Sequence, residues 1–163
     1  SFKSDLLNEM KGVSEQVIEL AQAVPAEKYT WRPAEGVRSI AEAYLHIAAS
    51  NYEILGFTAH PAAGAPADPA KFETSTSDKA QVVAALARSF QATREAIEKI
   101  PDAAMDQPFK AGSKRTLRSI LLEIPGHVHE HLGQEIAYAR MNGVVPPWTA
   151  RRQQAQPPPK SGR

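Results

Sequence analysis

Two histidines four residues apart, His127 and His131, stand in the run H-V-H-E-H. On a helix their rings lie about 40° apart around the axis and one turn along it, close enough to converge on one ion. H-x-x-x-H is also a short and common pattern, so the spacing alone favours a pair of surface or capped histidines. His46, in A-E-A-Y-L-H-I-A-A-S-N-Y, is set among small residues. It reads either as a core imidazole hydrogen-bonded to a neighbour or as a third ligand facing the other two. Three neutral imidazoles on a divalent ion leave at least one coordination position where something else can bind. Glu42, Ser50 and Glu53 share a helical face with His46, while Glu123, Gln134 and Glu135 lie near the pair. Each is a candidate to fix an imidazole by hydrogen bonding, and each is as readily a solvated polar residue. His129 falls about 160° around the helix from either member of the pair and reads as a surface or partner-contacting residue. His60, just ahead of Pro61, reads as solvent-exposed.

Four amphipathic segments must carry these residues. Leu6, Met10, Val13, Val17, Leu20 and Val24 are spaced 4-3-4-3-4, the seam of a first helix that Pro25 ends. After a connector over 26–38, Ser39-Ile40-Ala41-Glu42 forms a capping box and a second helix runs from about 40 to 57. Residues 59–77 have little periodicity and read as a long loop. A third helix is expected over about 78–100, with Val83, Leu86, Phe90, Ile97 and Ile100 inward and Pro101 as its stop. The fourth is expected over about 116–142, ending on Asn142-Gly143 in a left-handed turn. Inside it Pro125-Gly126 predicts a kink or a late start. No strand pair or internal repeat is visible. Four such helices hide their apolar stripes only against one another, which gives an all-α four-helix bundle over 1–145. The first two helices should run antiparallel. The loop before the third can span roughly 60 Å against ~30 Å for a helix, so a crossover placing helices two and three parallel is permitted. Residues 146–163 are polar and proline-rich, an unstructured tail by composition, with Trp148 as its natural anchor.

Composition removes several chemistries. The 163-residue chain is 42 % apolar and 23 % charged, ordinary globular material for one domain. It has no cysteine, which excludes disulfides, a thiolate nucleophile and Cys-ligated zinc or iron–sulfur centres. A net charge of +1 does not steer a polyanion, and the run Lys110, Lys114, Arg115, Arg118 lacks aromatic interleaving, so nucleic acid is not an expected partner. No apolar run approaches the ~20 residues that cross a bilayer, so no membrane partner is expected. The sequence opens on Ser1 rather than methionine, which leaves both a cytoplasmic location and export after loss of a leader open.

Tyr29 to His46 (Y-T-W-R-P-A-E-G-V-R-S-I-A-E-A-Y-L-H) resembles the segment around the first metal histidine of the DinB-like (DinB/YfiT-like) family. His127 to Pro147 is similar to that family's last helix, with two further ligands four residues apart before a Gly-Gln pair. Leu132 stands where many relatives have arginine. The resemblance covers essentially Phe2 to Pro147, and it implies a divalent metal on His46, His127 and His131. It also implies the parallel crossover and a homodimer. Zinc or nickel is the metal expected first, with manganese or iron as alternatives. For function the resemblance implies a metal-dependent enzyme, a thiol-dependent transferase or isomerase, and a hydrolase is the further enzymatic reading. With no cysteine of its own, the chain as a transferase would take a low-molecular-weight thiol and a small electrophile as partners, with Glu42 or Glu53 as a proton acceptor. The competing readings are a metal-binding protein without turnover and a helical interaction module.

Overall fold

In the computed structural model, residues 1–155 are described; 156–163 of the expected tail lie outside them. Four long helices dominate: α1 (Phe2–Ala23), α2 (Ile40–Gly56), α4 (Lys79–Lys99) and α6 (Glu123–Met141). Three short ones, α3 (Pro69–Glu73), α5 (Leu117–Leu121) and α7 (Pro147–Ala155), complete the α-helices. Among the described residues β pairing is limited to an isolated bridge between Pro108 and Thr116. The fold is all-helical.

The seam read from α1 is its buried face: Leu6, Met10, Val13, Val17, Leu20 and Val24 all lie in the core. In α4 the buried stripe begins at Val82, with Val83 only partly covered, one residue earlier than the sequence pattern placed it. α1 packs on α4 and α6, and α2 packs on the same two, so α1 and α2 lie across the diagonal from each other. Contacts at the helix ends fix the directions. Lys79 Nζ, at the start of α4, donates to Gln22 O and Val24 O at the end of α1. Lys3 Nζ, at the start of α1, donates to Ile100 O and pairs with Asp102, just past α4. α1 and α4 are therefore antiparallel. Glu9 meets His129 and Glu19 meets Arg151, so α1 and α6 run the same way. Trp31, ahead of α2, packs edge-on against Tyr138 near the end of α6, while His46 meets His127 near its start. α2 thus runs against α6 and parallel to α4, and the segment between α2 and α4 is the expected crossover.

That crossover is not bare loop. Asp68 accepts from Lys71 N and Pro69 occupies the first turn, which together start α3, and α3 packs against α2. His60 is half-buried there, not exposed, its amide donating to Thr58 Oγ1. The expected fourth helix is split at Leu122 into α5 and α6. Pro125 becomes the third residue of α6, where the missing N–H has no intrahelical partner to lose. α6 ends as expected: Gly143 has φ +76°, Gly143 N donates to Arg140 O and Val144 N to Ala139 O. The tail expected to be unstructured turns helical from Pro147 as α7. Trp148 packs on the core, and Arg151 makes an ion pair with Glu19.

The start of α2 is held hardest. Ser39 Oγ accepts from Glu42 N at 3.2 Å and Glu42 Oε2 accepts from Ser39 N at 2.7 Å. The next amides, Ile40 N and Ala41 N, donate to Trp31 O and Tyr29 O of the connector. Replacing Ser39 with Ala should cost about 1 kcal/mol of unfolding free energy, read from the shift in the urea midpoint.

Candidate metal centre

His46 projects from the middle of α2, and His127 and His131 from the first half of the antiparallel α6. One ring nitrogen from each lies within 4.8 Å of the other two, and the ring centroids are 4.4 to 4.9 Å apart. All three histidines are half-buried. The structure thus brings together the three histidines singled out from the sequence. His129 faces away, exposed, and pairs with Glu9 at 2.8 Å.

Two neighbours set the orientation of the rings. Glu73, at the end of α3, places Oε1 2.6 Å from His46 Nδ1. Burial raises its carboxyl, but the hydrogen bonds from His46 and Arg38 outweigh that and hold it below the usual carboxylate range. An ionised carboxylate only accepts, so His46 Nδ1 carries a proton, and Nε2 is the nitrogen left facing His127. Gln134 does the same for His131: its Nε2 donates to Tyr138 Oη, which leaves Oε1 to accept from His131 Nδ1 at 2.8 Å. His46 Nε2 and His127 Nε2 are 3.1 Å apart. A tetrahedral ion with bonds of ~2.0–2.1 Å holds its donor atoms about 3.3 Å apart, close to the spacing of this pair.

The electrostatics favour the neutral, ligating forms. Burial, and then the charges that His131 and His46 would carry, bring His127 down to about 4. Burial also lowers His131, against the hydrogen bond to Gln134, which pulls the other way. Both shifts favour the neutral ring at pH 7, the form a metal ligand needs.

Other candidates from the sequence are occupied elsewhere. The Glu42 carboxylate serves the α2 cap and pairs with Arg32 at 2.9 Å; burial raises it, and those partners more than reverse the shift. Glu53 is exposed, Ser50 is buried, and Glu123 pairs with Arg115. Sequence reasoning did not single out Glu73 or Arg38, whose Nε donates to Glu73 Oε2 at 2.9 Å. The available signal was Asp68-Pro69, a helix cap followed by a first-turn proline, which marks a short helix inside the loop.

The family model described as the DinB superfamily matches residues 10–134. No curated protein matches the sequence. Among solved structures, the crystal structure of a DinB-like protein from Bacillus cereus ATCC 10987 aligns with a TM-score of 0.76 and 17 % identity, covering 87 % of this chain and 93 % of that one. At that identity the likeness speaks for the fold alone.

Glu135, one turn beyond His131, turns into the core. It is 0 % exposed, and neither carboxylate oxygen has a hydrogen-bond partner among the described residues, nor does the adjacent Tyr44 hydroxyl. Burial pushes its carboxyl well above the usual range, with a weaker opposite pull from Tyr44. A raised folded pKa means that its contribution is fully present below the unfolded value of about 4.5 and is lost as pH rises through the folded value. Glu135→Gln cannot ionise. Its urea midpoint should therefore match the wild type near pH 4 and exceed it by a margin that opens as pH rises above the unfolded value.

Proposed function

This chain belongs to the DinB superfamily, and from that membership and its histidine triad we propose that it binds one divalent metal ion on His46, His127 and His131. The observation that carries the reading is the set of three ring nitrogens within 4.8 Å, two of whose rings are turned inward by Glu73 and Gln134. Such outer hydrogen bonds fix the tautomer and raise the basicity of a ligating imidazole. Zinc and nickel suit three imidazoles best, with iron or manganese as alternatives.

The same centre supports a thiol transferase, in which an external low-molecular-weight thiol displaces a leaving group from a small electrophile. A divalent ion on the triad supplies a Lewis acid that makes a coordinated thiol or water more acidic. Among the described residues no fourth His, Asp or Glu joins the group, which leaves room for a substrate as ligand. His46 and His131 stay in the ligating tautomer because Glu73 and Gln134 accept their Nδ1 protons. The thiol must come from outside, since the chain has no cysteine.

Elemental analysis of protein reconstituted with zinc, nickel or manganese should give about one ion per chain. His46→Ala or His131→Ala should abolish this, and His129→Ala should not. Metal at a hundredfold excess over its dissociation constant should add about 2.7 kcal/mol of stability, which a chelator removes. Glu73→Ala should weaken binding by roughly 10–100-fold in competition with a chromogenic chelator. Turnover of a thiol with an electrophilic acceptor that vanishes on chelation and in His46→Ala would establish catalysis; full metal loading without turnover would leave a metal-binding protein.

A further inference from the structure

We propose that Arg38 makes the centre selective for ligands carrying an oxyanion, a carboxylate in the simplest case, which its terminal guanidinium nitrogens receive beside the histidine triad. The inference rests on the metal-centre reading and names the class of molecule taken up there.

Arg38 lies one residue before the cap of α2 and is tied to the centre through one carboxylate. Glu73 accepts from His46 with Oε1 at 2.6 Å and from Arg38 Nε with Oε2 at 2.9 Å. That single bond orients the guanidinium and uses only Nε. Among the described residues the two terminal nitrogens make no hydrogen bond, and the side chain remains 41 % exposed. Arg32, six residues earlier, differs: it spends Nη1 on Val37 O and Nη2 on Glu42. Glu130, also near the triad, is exposed and forms no ion pair with Arg38. A planar fork held at one edge and open at the other is the geometry that takes a carboxylate by paired N–H donors. A ligand held at the triad would meet this fork with its anionic group.

The probes are 3-mercaptopropionate and 2-mercaptoethanol, thiols of similar size with and without a carboxylate. Each is titrated into the cobalt-loaded full chain and followed by the thiolate-to-cobalt absorption band. The wild type should bind the anionic thiol about tenfold more tightly or better, the scale of a charge-assisted hydrogen bond. Arg38→Gln should bring the ratio close to one, and Arg38→Lys should fall between. The ratio separates recognition from bracing of Glu73, because loss of bracing weakens both thiols together. A wild-type ratio near one, or a preference that survives in Arg38→Gln, overturns the proposal. Should the chain take up no cobalt, zinc or nickel, the metal reading fails by itself. The fork is then read on metal-free protein from the Arg38 Nε–H resonance, which should shift saturably with 3-mercaptopropionate and not with 2-mercaptoethanol. Absence of that shift overturns the proposal.

Discussion

Two neighbouring helices that run the same way, α2 and α4, oblige the chain to travel back along the bundle between them. α2 has 17 residues, so the return covers about 25 Å. A connection of that length lies on the outside of the helices it joins and must find partners for its backbone. It finds some by forming α3 against α2, and α3 ends on the glutamate that holds His46. The orientation of the first histidine is therefore a consequence of topology. An up-and-down arrangement with short loops would bring no chain to this face of α2.

The two sides of the triad are steadied by different means. His131 depends on its own helix, through Gln134 three residues on and Tyr138 four beyond that, so any stable α6 supplies the support. His46 depends on a residue 27 positions away in the crossover. His127 has neither: its Nδ1 is buried without a hydrogen-bond partner among the described residues, and its ring packs against both of the others. The split at Leu122 also bears on it. By starting α6 afresh, the break moves Pro125 into a first turn, and His127 follows two residues later in regular helix.

Much of this was legible in the sequence because it is local. The seam of α1, the capping box of Ser39 and Glu42, the Asn142-Gly143 stop and the phase that separates His129 from its neighbours all follow from spacing within a few residues. What was not legible depends on contacts across the chain. Glu73 sits in a five-residue helix too short to show periodicity, and its partner is on another element. Glu135 shares a helical stripe with His127 and His131, and a wheel cannot distinguish where that stripe leaves the histidine cluster and enters the core. α7 has a polar composition that argues against order, which is overcome by one tryptophan and one ion pair.

The separation of the ligands in the chain has a kinetic side. His46 and His127 are 81 residues apart, and what lies between includes the whole of α4, which packs on α1 and α2. Closing a loop of that size carries an entropic cost that local helix formation does not repay, and parallel neighbours such as α2 and α4 add further to the average sequence distance between contacts. Each helix is local, but the three imidazoles meet only where α6 packs on α2. A molecule that needs all three together meets them only in the packed bundle, never in an isolated helix.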